Sequence, residues 1–183
     1  MKKLFYMICI LSIFAEKFNA QSALETEFVK QLNIYRKKHG LGPVIYDAEI
    51  SKVALYHANY LAKCVLLKHV VHQDKSPHDE QFDIKNHTEL NFEQRAAMAP
   101  DKYIWGEIQI AAHYRKNTES ISKVAKSIIL SFDGSPKHKE IMLSPDASSS
   151  SKDIVGVSIV KYQSTFDSDE YSVNIDFGVQ INK

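Results

Sequence analysis

The chain has 183 residues, with 23 basic and 22 acidic side chains and a formal net charge of +1. This balance, with no region rich in basic residues, argues against nucleic acid as a partner. It contains two cysteines, Cys9 and Cys64. Because Cys9 lies in an N-terminal apolar run, a processed chain would keep only Cys64 and could form no internal disulfide.

The N-terminal segment has the pattern of an export signal. Lys2 and Lys3 precede an almost unbroken apolar stretch, and a small residue, Ala20, stands before Gln21. This arrangement predicts a signal peptide over 1–20, cleaved after Ala20. The apolar stretch is shorter than the ~20 residues needed to span a bilayer, so we expect no stable membrane span after cleavage. If the segment stays uncut, it would instead tether the protein.

The remaining residues, 21–183, have the length of one compact domain. Helical periodicity appears first over 24–35, and this helix should end near Gly40. A second helix is predicted over 50–61, with Asp47 as its N-cap. Both have one apolar face, which must be buried against another element.

A third helical pattern runs over 121–132. Its apolar residues recur at helical spacing, and Gly134 should end it. We expect Asn117 or Thr118 to cap its N-terminus.

Strand patterns gather late in the chain. Residues 153–162 are rich in β-branched side chains, and residues 171–181 alternate strictly between apolar and polar. The segment 164–170 should join them as an antiparallel hairpin, and a shorter strand is predicted over 106–112. Helices early in the chain and a hairpin late in the chain predict an α/β fold with helices packed on a sheet.

Two long polar segments, 69–90 and 144–152, separate these elements. The first contains several histidines, and the second contains a run of four serines. Loops of this length in a compact domain are usually functional or mobile.

Several phrases of the sequence, in order, resemble the CAP superfamily of cysteine-rich secretory, antigen 5 and pathogenesis-related proteins. They are Asn33-Ile34-Tyr35-Arg36 followed by Gly40-Leu41-Gly42-Pro43, then Gly106-Glu107, Ser135-Pro136-Lys137-His138, Val155-Gly156-Val157, and Phe177-Gly178. The resemblance spans nearly the whole processed chain and is closest to bacterial secreted members. It implies a three-layer α-β-α sandwich with a mostly antiparallel central sheet.

The resemblance also implies a central cleft lined by histidines and glutamates. Matched phrase by phrase, Glu107 and His138 take two of these positions. The first histidine should follow the second helix, where His72 matches best and His69 and His78 are alternatives. Two imidazoles and a carboxylate suit zinc or another divalent cation, with one position left for water.

Other residues depart from the family pattern or have structural interpretations. Ile108 replaces the asparagine of the family's Gly-Glu-Asn motif. No acid in the third helix clearly matches the family's second glutamate, and Glu119 lies at the very start of that helix. His57 lies on the apolar face of the second helix and is expected to be a core or boundary residue. Arg95 resembles an arginine of bacterial members and should tie the long loop to the body through a carboxylate.

Two functional hypotheses follow. The first is a secreted, extracellular or periplasmic, non-enzymatic binding module whose cleft and loops engage a protein, lipid or glycan. The second is a metal-dependent hydrolase that uses a bound water at the same cleft, with Glu107 as base. The sequence lacks the His-Glu-x-x-His helix of zinc proteases, which favours the first.

Overall fold

The computed structural model describes residues 21–71, 90–115, 119–144, 153–164 and 167–181. The predicted signal peptide lies outside these ranges. The described elements follow in chain order: α1 Ala23–Lys38, β1 Ile45–Tyr46, α2 Ala48–Val71, α3 Phe92–Ala96, β2 Lys102–Arg115, α4 Ile121–Asp133, α5 Pro136–Met142, β3 Asp153–Ser164 and β4 Ser168–Gln180.

The strands form one four-stranded sheet in the order β1-β3-β4-β2. β4 pairs antiparallel with both β3 and β2, and only the two-residue β1 pairs parallel, with β3. The sheet is therefore mixed but mostly antiparallel, as predicted. β2 is longer than the predicted 106–112 because it pairs with β4 along the full length of both strands.

One face of the sheet holds the larger apolar core, under α1 and α4. Alternate residues of β4 point into it, which confirms the period of two seen in the sequence. Many of its fully shielded members come from these two helices and from three strands: Phe28, Leu32, Ile128, Phe132, Ile108, Val155, Val157, Val173, Ile175 and Phe177.

The opposite face is covered by α2, which packs against β3 and β4. A Cβ added to Gly156 would lie 2.3 Å from the backbone carbon of Ile50, so only glycine allows the helix to approach the strand this closely. Helices therefore cover both faces of the sheet. The three-layer α-β-α architecture predicted from the sequence is confirmed.

The Asn33 and Arg36 phrase has a structural role. The Asn33 side chain accepts from Val44 N–H (2.9 Å) and donates to the Val44 carbonyl (3.0 Å). Arg36 is fully buried and donates to the carbonyls of Gly42 and Met142 and, at 3.1 Å, to Asp153. These bonds fix the end of α1 to the chain entering β1, to α5 and to β3.

The N-terminus of α2 confirms the predicted cap, because Asp47 Oδ1 accepts from the amides of Glu49 and Ile50. The predicted cap of α4 is wrong. Ser120, immediately before the helix, accepts from the amide of Lys123, at a position that neither Asn117 nor Thr118 occupies. A cap must directly precede the first helical residue, and the apolar pattern did not locate that residue closely enough.

Candidate functional site

Glu107 lies on β2, beside Asp176 of β4 in the ladder. Cross-strand partners project from the same face, so both carboxyl groups point towards the side of the sheet that α2 covers. The Glu107 side chain keeps only 12% of its surface exposed, and Asp176 is fully buried. The site is thus a buried polar cluster inside the domain.

Arg95 of α3 closes this cluster. Its Nη2 atom donates to both carboxylate oxygens of Glu107, at 2.9 and 3.1 Å, while Nη1 donates to the Leu90 carbonyl at 2.7 Å. The Arg95 side chain is 1% exposed. Arg95 therefore ties the end of the long segment to the body through a carboxylate, as expected from the sequence.

His57 reaches the cluster from α2. Its Nε2 atom lies 3.5 Å from Glu107 Oε1 and contacts Gln109 Oε1 on the same strand. A proton on Nε2 would let His57 donate to Glu107 or to Gln109. His57 is 2% exposed, so it is a core histidine as expected, but one that contacts the site glutamate.

Asp176 adds a second carboxyl group next to Glu107. Burial, together with the charge and hydrogen bonding of Glu107, raises the pKa of Asp176 well above its ordinary value. The Arg95 guanidinium, which binds Glu107, acts in the opposite direction on the pKa of Asp176.

His138 belongs to α5 and has different surroundings. Its ring packs edge-on against Phe132, with centroids 5.4 Å apart, and burial lowers its pKa. Ile141 of the same helix lies 3.0 Å from the position of a Cβ on Gly106. Because Gly106 and Glu107 are adjacent on a strand, this contact places α5 on the side of β2 opposite to the Glu107 side chain.

His72 and His78 lie outside the described residues, and for His69 only the backbone is described. Among the described residues, no three histidine, cysteine, aspartate or glutamate side chains converge to hold a metal ion. A zinc or other divalent ion at His72, Glu107 and His138 stays a prediction. The described part of that set does not suit it, because the Arg95 cation already occupies both oxygens of Glu107.

The structure also describes Ile108 and Glu119, the two positions discussed above where the chain departs from the family pattern. Ile108 is buried in the core under α1 and α4, on the face opposite to Glu107. Glu119 pairs with Lys123 at 3.0 Å.

Comparison with known proteins decides the family. Residues 29–173 match the CAP family, described as the cysteine-rich secretory protein family. The chain belongs to this family. The CAP match spans α1 to β4 and so includes every residue of the cluster except Asn174 and Asp176, which follow directly on β4.

A search of curated proteins found no match. Among solved structures, an outer surface protein of Borrelia burgdorferi is similar, with 18% identity, a TM-score of 0.41, and coverage of 83% of this chain and 89% of that one. In the described part of this chain, no helix combines the length and apolar character needed to cross a membrane.

Sequence reasoning missed the contributions of His57, Gln109, Asn174 and Asp176 to the cluster. Asn174 Nδ2 lies 3.5 Å from both Glu107 Oε2 and Asp176 Oδ2. The alternation of β4 correctly placed Asn174 and Asp176 on its polar face. Only the packing of α2 over that face reveals that it is buried.

Proposed function

We propose that this CAP domain is an exported, non-enzymatic binding protein. One observation supports this proposal best: both oxygens of the family's glutamate, Glu107, bind the buried guanidinium of Arg95. A carboxylate held in this way stabilises the fold around the α3 segment. It is poorly placed to accept a proton from water or to bind a cation.

Export is supported by the signal-like pattern over 1–20 and by membership of a family described as secretory. We therefore place the protein in the extracellular or periplasmic space. There, a protein, lipid or glycan would bind at the surface of the domain.

The competing proposal is a metal-dependent hydrolase. It would need Glu107 to leave Arg95, and removing one partner from a buried ion pair leaves an uncompensated charge. It would also need His138 and Glu107 to act together, although their described contacts lie on opposite sides of β2. We therefore favour a binding role.

Hydrolysis assays of the secreted protein with and without added zinc test the proposal. Chromogenic esters, a phosphate monoester and a labelled peptide mixture are suitable substrates. The proposal predicts turnover no greater in wild type than in Glu107→Gln and His138→Ala. Zinc-dependent turnover that both substitutions abolish, while both variants keep the wild-type circular dichroism spectrum, would overturn it.

A further inference from the structure

A groove of about 390 Å³ runs along the outer surface of the α1–α4 layer, away from the Glu107 cluster. Its walls are two helical stripes, Gln31, Ile34, Tyr35 and Lys38 of α1, and Lys126, Ile129 and Leu130 of α4. The spacings i, i+3, i+4 and i+7 mean that each stripe is one continuous helix face. The groove therefore extends along about two turns of α1 and somewhat more than one turn of α4.

The walls of this groove expose apolar side chains that the core does not need. Leu130 is 65% exposed and Ile34 is 43% exposed, whereas Ile129 between them is only 4% exposed. Exposed leucine and isoleucine beside a recessed apolar floor are typical of a surface that binds a convex, apolar partner.

The charges at the groove are unevenly distributed. The acids near its two ends are already engaged, Glu27 by Lys30 at 3.0 Å and Asp133 by Lys139 at 2.8 Å. Lys38 and Lys126, which line the groove, make no ion pair with any residue that the structure describes. The rim is therefore cationic.

We infer that this groove docks an acidic amphipathic helix of a partner protein, with the apolar face of the helix on Ile34, Ile129 and Leu130 and its carboxylates at Lys38 and Lys126. This inference rests on the proposed binding function and names its partner. A helix laid along two others is a common mode of recognition, and opposite charges at the rim speed and orient such docking.

Two other occupants fit the observations less well. A second copy of this chain would have to offer a described helix with excess acid, but α1 ends in Arg36, Lys37 and Lys38, and α5 contains two lysines and one glutamate. A flat anionic membrane would reach the projecting side chains of Ile34 and Leu130 but not the recessed Ile129.

Fluorescence anisotropy with a designed peptide tests the inference. The probe is a labelled helix of about 20 residues, long enough to be helical, with leucine on one face and glutamate on the others. A peptide with lysine in place of every glutamate is its matched control. We expect the acidic peptide to bind with a Kd on the order of micromolar and the lysine peptide not to bind.

Two variants locate the binding surface. Lys126→Glu and Leu130→Asp should each weaken binding of the acidic peptide by about tenfold or more. Their controls are Lys137→Glu, at an exposed position on α5, and Ile121→Asp, a 50% exposed apolar position on α4 outside the groove. Both controls should bind as wild type. All four positions are on the surface, so thermal unfolding should show folded protein throughout.

Three outcomes would overturn the inference. They are failure of the acidic peptide to bind, a loss of affinity for it in the control variants as large as in the groove variants, and binding of the lysine peptide with the same affinity. Sedimentation with phosphatidylglycerol vesicles and analytical ultracentrifugation test the rival occupants. Vesicle binding or dimerisation that Leu130→Asp abolishes, without binding of the acidic peptide, would also overturn it. None of these results bears on hydrolysis, so they leave the proposed non-enzymatic role to its own assay.

Discussion

At the scale of single residues, the buried charges around Glu107 decide what the site can do. Arg95, Glu107 and Asp176 are largely shielded from water. Burial costs a charged group several kcal/mol of hydration energy unless a partner compensates for the loss. The bond from Arg95 to both carboxylate oxygens supplies that compensation. Under the proposed binding role, the same bond keeps Glu107 from acting on water or on a metal ion.

Arg95→Ala should therefore destabilise the protein by about 3–5 kcal/mol, since it leaves Glu107 buried without its cation. Arg95→Lys should lose less stability than Arg95→Ala, because lysine keeps the positive charge although it lacks the planar set of donors. Urea denaturation of both variants and of Arg95→Ala/Glu107→Ala measures this. If the stability lost in Arg95→Ala and the stability lost in Glu107→Ala simply add in the double variant, the two residues do not interact as described.

Gly156 gives a second prediction at this scale. Gly156→Ala should destabilise by at least about 3 kcal/mol, because the new Cβ would meet the backbone of Ile50 and Ser51, which cannot rotate away. Gly134→Ala is the control, because its Cβ would meet no atom closer than 3.5 Å. Denaturation midpoints for the two variants provide the comparison, and similar midpoints would count against the close packing of α2 on β3.

The residues of the site differed in how far the sequence could predict them. Glu107, His138 and Arg95 stand in short motifs, so a resemblance could locate them. The spacing of His57 along its helix predicts that it lies in the core. The same spacing does not indicate that β2 presents a carboxylate, Glu107, to it. Contacts between residues 50 positions apart depend on the packing of α2 on the sheet, which local pattern does not determine.

At the scale of elements, α1 organises much of the fold. Asn33 and Arg36 hold it to three other segments, and Tyr35 donates to Asp133 at the end of α4. Lys139 of α5 joins the same carboxylate at 2.8 Å. The ends of three helices thus meet at Asp133.

Because of this junction, we expect the stability of the protein to depend on pH in the acidic range. The hydrogen bonds from Lys139 and Tyr35 lower the pKa of Asp133 below its ordinary value near 3.8. A lowered pKa in the folded state means that the carboxylate stabilises the protein above that ordinary value, and that the stabilisation is lost as pH falls through the folded pKa. Asp133→Asn should therefore be less stable than wild type at neutral pH.

Denaturation of wild type and Asp133→Asn at several pH values measures the effect. The difference in free energy of unfolding should shrink below about pH 4, and it should be smaller at all pH values when Lys139→Ala is also present. A difference that stays constant from neutral pH to pH 2 would show that Asp133 is not ionised in this junction.

Long elements with a clear period were predictable, and short ones were not. The patterns of α1, α2, α4, β3 and β4 extend over several turns or alternations, so their apolar faces are evident. β1 has two residues and α3 has five, which is too few to show a period, although Asn91 and Gln94 form a capping box at the start of α3. Without the sheet there is no partner for β1, and without Glu107 there is no buried charge for α3 to meet.

At the scale of the whole molecule, the three-layer order follows from where the apolar faces point. β4 is buried on both sides, with apolar side chains under α1 and α4 and polar side chains under α2. The alternation in the sequence predicts a polar face on β4 but does not show that this face is buried. The burial arises because α2 covers this face, where Arg95, Glu107, Asn174 and Asp176 contact one another.

The export proposal predicts the N-terminus of the released protein. Edman sequencing or intact mass of the exported protein should give a chain that starts at Gln21, since Ala20 is the small residue that precedes the predicted cut. Substitution Ala20→Arg should retain the uncut form. A released protein that still begins at Met1 would contradict the assignment of 1–20 as a cleaved signal.

The central proposal is that Glu107, whose two oxygens bind Arg95, stabilises the fold and does not bind a metal ion. Isothermal titration of the untagged protein with zinc near neutral pH tests it most directly. The account predicts no saturable one-to-one binding in the nanomolar range. One zinc ion per chain, bound at nanomolar affinity in wild type and lost in both Glu107→Gln and His138→Ala, would contradict it.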